Sequence, residues 1–285
     1  MKAWESNIRK VEPYVPGEQP KVQDVIKLNT NENPYGPSEN VRKAMEAIDI
    51  DRCRLYPDPD VTKLVGSIAD YYGMDNNQVF VGVGSDDVLS MCFLTFFNGK
   101  KPVLFPDITY SFYSVWADLY RIPYEKQKLD DNMKIVPEDY YKENGGVIFP
   151  NPNAPTGLLM DLDSVRDIIE HNKDVVVIVD EAYIDFGGVS ALPLIDKYDN
   201  VIVVQTFSKS RSMAGSRIGF AISNPTLIKY LNDVKYSFNS YTMDTITIAA
   251  GTAAMRDLAY FEMTRDKIIQ TREWTKQELK RLGFV

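Results

Sequence analysis

The chain has 285 residues, 44% hydrophobic and 12% aromatic, which is enough for one large domain and part of another. Its net charge of −8 argues against nucleic acids and anionic membranes as partners. No apolar run is long enough to span a membrane, and the first six residues do not resemble a secretory signal. The two cysteines, Cys53 and Cys92, lie far apart in sequence, so we predict a reducing compartment, the cytoplasm.

The first 37 residues predict an extended, turn-rich arm, because prolines such as Pro34 and Pro37 interrupt any helical pattern. After the arm, apolar strands alternate with amphipathic helices. Strands are predicted at 79–83, 102–105, 147–149, 175–179, 201–205 and 218–222. Helices are predicted at 41–48, 61–72, 85–94, about 110–120, 161–171 and 225–236. This alternation indicates an α/β domain with a mostly parallel sheet covered by helices on both faces.

From about residue 245 the pattern predicts one long helix to about 281, interrupted by nothing stronger than Gly251. Its apolar positions include Ile268, Ile269, Trp274 and Leu279. A glycine cap and the start of a strand are expected at 281–285. We therefore expect an arm (1–37), a large domain (38–244), and a linking helix that begins an incomplete small α/β domain (245–285).

The single histidine, His171, closes the predicted helix 161–171 and is expected to contact its last carbonyls. One histidine and two distant cysteines cannot assemble a zinc site, so no metal is predicted. A Ser-His-Asp triad would need this histidine, and no G-x-S-x-G motif is present. The chemistry must then come from carboxylates, tyrosines, a lysine or a bound cofactor.

The segment Gly82-Val-Gly-Ser-Asp-Asp87 follows a strand and opens a helix. It lacks the third glycine of a dinucleotide fingerprint, because Asp87 stands there. Ser85 still marks a helix N-terminus, whose free N–H groups attract one phosphate; the alternative is an ordinary capped helix. The segment Asn151-Pro-Asn-Ala-Pro-Thr-Gly157 also follows a strand, and its asparagines could bind a ligand oxygen or form a simple β-turn.

Asp180 ends a fully apolar strand, where an isolated carboxylate is costly unless a cation meets it. That cation could be a neighbouring arginine or the protonated ring nitrogen of pyridoxal phosphate. Lys209 lies just past the next strand, at the sheet edge where open α/β sheets bind ligands. Partial burial and the nearby cations Arg211 and Arg217 favour a nucleophilic amine there; the alternative is a solvated basic turn.

Together these residues resemble the pyridoxal-phosphate enzymes of the aspartate aminotransferase fold, and within them the histidinol-phosphate aminotransferase family. The resemblance covers nearly the whole chain in the family's order. The matching segments are Asn31–Pro37, Tyr56–Asp58, Gly84–Asp86, Tyr110, Asn151–Gly157, Asp180–Tyr183, Ser208–Lys209 and Arg217–Phe220. It implies a fold-type-I large domain with a seven-stranded sheet, and a homodimer with shared active sites.

The resemblance also implies residue roles. Lys209 would form the internal aldimine and carry the proton, Asp180 would pair with the pyridinium nitrogen, and Tyr183 would donate to the phenolate oxygen. Stacking on the ring is implied for Tyr110, and contact with the phosphate for Ser85, Asp86, Ser208, Arg217 and, from the neighbouring subunit, Tyr56. Where many relatives have an asparagine before Pro-Thr-Gly this chain has Ala154, so either Asn153 bonds the phenolate oxygen or Tyr183 bonds it alone.

The expected activity is transamination between histidinol phosphate and 2-oxoglutarate. Other possibilities are an aromatic aminotransferase, a decarboxylase of the threonine-phosphate type, and, from another class, a cofactor-binding domain without turnover. The arginine that would grip the substrate carboxylate is expected beyond residue 285. We accordingly expect these 285 residues to be a fragment that binds the cofactor but transaminates poorly.

Overall fold

The structure is a computed structural model that describes residues 2–19, 21 and 25–284. Seven strands form a single sheet in the order β1-β7-β6-β5-β4-β2-β3. Their bounds are β1 Val79–Gly82, β2 Val103–Pro106, β3 Tyr124–Gln127, β4 Gly146–Pro150, β5 Val177–Asp180, β6 Val201–Thr206 and β7 Gly219–Ser223. All neighbours pair in parallel except β7, which is antiparallel to β1 and β6. The predicted α/β class, the mostly parallel sheet and the seven strands are confirmed.

Eight α-helices surround the sheet in the part of the chain described. They are α1 Glu39–Glu46, α2 Thr62–Tyr72, α3 Ser85–Phe96, α4 Phe112–Tyr120, α5 Leu162–Glu170, α6 Pro225–Phe238, α7 Thr245–Arg256 and α8 Leu258–Arg281. Most begin at a side chain that binds free N–H groups of the first turn, as Asn224 does for α6 and Asp244 for α7. His171 contacts the end of α5 as expected, since its Nδ1 lies 2.8 Å from the Asp167 carbonyl oxygen.

The core lies on both faces of the sheet because consecutive residues of a strand point to opposite sides. In β5, Val177 and Val179 pack in one core cluster with residues of α2, α5 and α7. Ile178 packs in the other cluster with residues of α3, α4 and α6. This arrangement explains why the central strands are apolar throughout. The packing on both faces also fixes the positions of the strand ends that carry the candidate site.

The edge strand β3 was missed by the pattern of apolar residues. Its sequence is Tyr-Glu-Lys-Gln, and the two central residues, Glu125 and Lys126, are exposed. An edge strand with one paired side needs little apolar surface, so neither a continuous nor an alternating apolar run marks it.

The prediction of one continuous helix from 245 to 281 was wrong. The helix is broken at Asp257, which has φ −89° and ψ 67° and accepts a hydrogen bond from the Tyr260 N–H at 3.4 Å. Gly251 lies inside α7, where a Cβ would come within 2.7 Å of Ile218 Cδ1, so this glycine permits close packing. Along α8, Ile268 and Ile269 are half-buried and Trp274 is 62% exposed.

The arm forms one 3₁₀ turn, Ala3–Asn7, and is otherwise extended and mostly exposed over its described residues, as predicted. Helix α8 ends in a glycine cap at Gly283, with the Phe284 N–H bonded to the Leu279 carbonyl. The expected strand start falls on Phe284, which is in no strand, and on Val285, which lies outside the described residues. The division into arm, large domain and incomplete small domain stays a prediction.

Candidate active site

The candidate site lies at the carboxyl ends of β4, β5 and β6. Because these strands are parallel and in register, Pro150 pairs with Asp180, and Asp180 pairs with Val204. The polar segments that follow the three strands therefore meet at one edge of the sheet. At the same edge, Gly82 at the end of β1 pairs with Gly219 at the start of β7, which brings the N-terminus of α3 to this place.

Lys209 lies in the turn after β6 and is half-buried. Its Nζ donates a 2.8 Å hydrogen bond to the Thr30 carbonyl oxygen of the arm. The same Nζ lies 5.5 Å from the centre of the Tyr183 ring. Its ammonium therefore has a backbone partner that holds it at the mouth of the site beside the tyrosine.

Asp180 is 4% exposed and has no cationic side chain within salt-bridge distance among the described residues. Its carboxylate accepts hydrogen bonds from the Tyr113 hydroxyl at 2.7 Å and from the Ala182 N–H at 3.3 Å. Burial raises the pKa of Asp180 to about 6, although both hydrogen bonds act in the opposite direction. A buried carboxylate of this kind is suited to a cationic ligand group. The arginine considered as its alternative partner is absent from its surroundings in the described chain.

Two glycines bring β7 against the N-terminus of α3. A Cβ at Gly219 would lie 2.3 Å from both Gly84 C and Ser85 N, and a Cβ at Gly84 would lie 2.5 Å from Arg217 Nη2. Gly84 also has φ +88°, which favours glycine. The helix starts at Ser85, so N–H groups of its first turn lack helical acceptors, and the Arg217 guanidinium lies beside Gly84 just before that turn. The cradle formed by Gly84, Ser85, Arg217 and Gly219 fits a phosphate group.

Asp86 connects the cradle to an aromatic cluster. It accepts a hydrogen bond from the Tyr110 hydroxyl at 2.6 Å and forms a 3.1 Å ion pair with Arg217 Nη2. Tyr110 lies in an aromatic group with Tyr113, their ring centres 5.8 Å apart. Burial and the Asp86 charge hold the pKa of Tyr110 well above its usual value, so the phenol stays protonated. Ser208 is buried nearby, and its N–H donates to Thr206 Oγ1 at 3.1 Å.

Asn153 does not face Tyr183. Its amide group donates to the Ile108 carbonyl at 3.0 Å and its side-chain oxygen accepts from Thr109 Oγ1 at 3.0 Å. The Asn153 side chain is thus bonded to the segment before α4. Of the two possibilities left by Ala154, this arrangement favours Tyr183 as the phenol that meets a ligand oxygen.

The structure brings nine of the ten predicted site residues to this edge and leaves Tyr56 elsewhere. Tyr56 is 82% exposed and stacks on Tyr241, with ring centres 4.6 Å apart. Its role was expected in a neighbouring subunit, so its position in a single chain does not test that expectation.

Besides the bond from Lys209 to Thr30, three contacts at the site were missed by sequence reasoning. Asn31 Nδ2 donates to the Tyr183 hydroxyl at 3.1 Å, and Asn33 Nδ2 donates to the Lys209 carbonyl at 2.9 Å. The third is the bond from Tyr113 to Asp180. The two asparagines belong to the quoted segment Asn31–Pro37, which was the available signal, whereas Tyr113 sits in an aromatic helix with nothing to distinguish it from a core residue.

Taken together, the residues fit pyridoxal phosphate: a buried carboxylate without a cation, an amine, a phenol, and a helix N-terminus with an arginine. Asp180 would hold the ring nitrogen, and Lys209 would be the covalent attachment point. No group of three or more His, Cys, Asp or Glu side chains suited to a metal ion occurs among the described residues. Within them, too, no helix is long and apolar enough to cross a membrane.

Residues 23–285 match the family "Aminotransferase class I and II". The histidinol-phosphate aminotransferase of Clostridium beijerinckii is 52% identical over 283 residues, which is 99% of this chain and 79% of that protein. The protein of the same name from Lactococcus lactis subsp. cremoris SK11 is 51% identical over 282 residues, with the same two coverages. That from Pseudomonas putida W619 is 52% identical over 281 residues, 99% of this chain and 81% of that protein.

Solved structures agree in fold. The histidinol-phosphate aminotransferase of Sinorhizobium meliloti in complex with pyridoxal-5'-phosphate has a TM-score of 0.81 at 24% identity, over 89% of this chain and 70% of that chain. The enzyme of the same name from Clostridium acetobutylicum also has a TM-score of 0.81 at 24% identity, over 90% of this chain and 77% of that chain. These similarities show that the chain shares its fold with both structures.

Proposed function

This chain belongs to the class I and II aminotransferases, and we propose that its reaction is the transfer of the amino group of histidinol phosphate to 2-oxoglutarate. The products are imidazole-acetol phosphate and glutamate, a step of histidine biosynthesis. The observation that carries this proposal is the identity of about half of all residues with three proteins named histidinol-phosphate aminotransferase, over 99% of this chain. The enzyme is pyridoxal-phosphate-dependent.

The residue roles are part of the proposal and rest on the geometry. Pyridoxal phosphate, when bound, supplies an electron sink that stabilises negative charge at the substrate Cα. Asp180 keeps the ring nitrogen protonated because its carboxylate is buried without another cation in the described chain. Lys209 moves a proton at Cα with its Nζ, and the arm holds that Nζ at the mouth of the site.

Tyr183 would donate a hydrogen bond to the phenolate oxygen of the bound cofactor, and Asn31 fixes the direction of that phenol. Arg217, Ser208 and the first turn of α3, with Ser85 and Asp86, bind the phosphate. Tyr110 packs against the ring, supported by its bond to Asp86. Asn153 contributes by holding the 108–109 segment below Tyr110.

The enzyme is proposed to act as a homodimer in which Tyr56 reaches the phosphate of the partner's site. Two features support this assignment: Tyr56 is 82% exposed, and the preceding residues Ile50 and Leu55 are exposed and apolar as well. A cytoplasmic location is proposed as well, since both cysteines are unpaired.

The decisive experiment is a half-reaction with the holoenzyme, followed by the absorbance of the cofactor. Histidinol phosphate should convert it to the pyridoxamine form, and phenylalanine and threonine phosphate should do so far more slowly. Faster conversion by phenylalanine would indicate an aromatic aminotransferase, and release of CO₂ from threonine phosphate would indicate a decarboxylase. An unchanged spectrum with all three compounds would leave a cofactor-binding domain without turnover.

A further inference from the structure

The loop that carries Tyr56 is held in a strained conformation. Val61, at the end of this Tyr56 loop (residues 56–61), has φ +52° and ψ 33° and is buried. A β-branched residue in the left-handed region is rare and persists only where its surroundings enforce it. Asp58 provides part of that constraint, because its carboxylate accepts the N–H groups of Asp60 at 3.0 Å and Thr62 at 2.8 Å.

The other constraint comes from α6, far away in sequence. Lys235 is only 5% exposed, and its Nζ donates a 2.6 Å hydrogen bond to the Pro59 carbonyl. Next to it, the Tyr236 hydroxyl donates to the Asp60 carboxylate. Beyond the helix, Tyr241 stacks on Tyr56 itself. The segment 235–241 therefore contacts the Tyr56 loop at three residues, which are Tyr56, Pro59 and Asp60.

Burying the ammonium of Lys235 costs free energy unless charged or polar partners compensate it. It forms no ion pair within 4 Å in the described chain, and its charge is stabilised from farther away by Asp58, Asp60 and Asp87. A methionine or leucine would fill the same space without this cost. Besides a cation–π contact with the Tyr236 ring at 4.8 Å, the one hydrogen bond of this ammonium in the described chain goes to the Pro59 carbonyl, which indicates that the position of that carbonyl matters. The Lys235 side chain also borders an open pocket of about 290 Å³, which Asp60 and Val61 of the Tyr56 loop line as well.

We propose that Lys235 is a positioning residue: by holding Pro59 it sets the direction of Tyr56, and it thereby acts on the cofactor site of the partner subunit and not on that of its own chain. This inference rests on the proposed function, in which Tyr56 completes the partner's site. Without the ammonium, the Pro59 carbonyl loses its hydrogen-bond donor and can rotate. The loop then no longer fixes the direction of Tyr56.

The test uses Lys235→Met, which keeps the apolar stem and removes the donor. The control is Lys229→Met on the same helix, where the ammonium is exposed and forms an ion pair with Asp233. In the full chain we expect Lys235→Met to weaken cofactor binding about tenfold, the loss that corresponds to one charge-assisted hydrogen bond. Lys229→Met should bind cofactor like the parent. Unchanged cofactor affinity and turnover in Lys235→Met would overturn the inference.

Mixed dimers separate positioning in the partner's site from loss of stability. Lys209→Ala chains are mixed with Lys235→Met chains and, in parallel, with Tyr56→Phe chains. In each mixed dimer one site combines an intact Lys209 with an intact Tyr56 loop from the other chain. At limiting cofactor, both mixtures should show more turnover than either parent variant shows alone. If only the Tyr56→Phe mixture recovers, the shared site stands and the role of Lys235 is refuted. If neither recovers, the shared site itself is wrong, and this inference falls with it.

Discussion

The hydroxyl of Tyr113 donates a 2.7 Å hydrogen bond to the carboxylate of Asp180, and both side chains are buried at the carboxyl end of β5. Among the described residues no basic side chain shares this place, so a phenol and one backbone N–H are all that this chain provides to the carboxylate. These two donors fix the direction of the carboxylate. Its negative charge has no cationic partner in the described chain until the ring nitrogen of a cofactor binds.

Asp180→Asn should keep the cofactor but lose most of the turnover, because a neutral amide does not keep the ring nitrogen protonated. Each tenfold loss corresponds to about 1.4 kcal/mol in the barrier. Tyr113→Phe, which leaves the carboxylate in place, should cost about tenfold. Single-turnover rates with histidinol phosphate measure both effects. A near-parental rate for Asp180→Asn would mean that the carboxylate is structural.

Lys209→Ala should abolish covalent attachment of the cofactor while leaving the fold intact, because the side chain is half-buried and its one hydrogen bond among the described residues goes to the Thr30 carbonyl of the arm. Borohydride reduction followed by peptide mapping detects the attachment. Lys229→Met serves as the control. Cofactor trapped on another lysine in the parent protein would end the assignment.

Gly219→Ala should prevent binding of the phosphate and destabilise the fold by about 1–3 kcal/mol or more, because the new Cβ would meet backbone atoms that have no room to move. Gly215→Ala is the matched control, since a Cβ there meets nothing within 4 Å. Cofactor titration and urea unfolding of both variants give the two quantities. Equal cofactor affinity in the two variants would contradict the proposal that this cradle binds the phosphate.

The stability of the cofactor-free protein should fall as the pH rises from 5 to 8. Burial raises the pKa of Asp180 to about 6 and that of Glu181 to about 7, above their values in the unfolded chain. Such carboxyls contribute stability that is fully present below the unfolded pKa and is lost as the pH passes the folded pKa. The loss should be on the order of several kcal/mol, at about 1.4 kcal/mol per pKa unit for each group.

Urea unfolding at pH 5, 6.5 and 8 checks this expectation. Asp180→Asn and Glu181→Gln should each flatten the pH dependence, and added pyridoxal phosphate should reduce it by pairing with Asp180. Carboxylates with lowered pKa values, such as Glu32 and Asp161, act below pH 5 and do not interfere. Stability that increases between pH 5 and 8 would contradict the assignment of both groups.

The central strands were predictable because burial on both faces requires apolar residues throughout, as in Val201–Val204. Strand β3 was not predictable in this way, since an edge position imposes no such requirement on Glu125 and Lys126. The break between α7 and α8 depends on Asp257, whose side chain caps the second helix. A single aspartate between two helical patterns is too weak a signal to override good helical periodicity.

In the site, the positions of Lys209 and Asp180 followed from strand ends, which are local features. The contacts of Asn31 with Tyr183 and of Lys235 with Pro59 did not, because each joins residues more than 150 positions apart. Composition and periodicity describe which face of an element is buried. They contain no information on which polar group from a distant part of the sequence will contact that face.

The bond from Lys209 to Thr30 spans 179 residues, and this separation has a consequence for synthesis on the ribosome. Thr30 leaves the ribosome early, whereas its partner is made about 10–40 s later at typical elongation rates. Throughout that interval the Thr30 carbonyl has no Lys209 side chain to bind. The covalent attachment of the cofactor to newly made chains must therefore wait for the second half of translation.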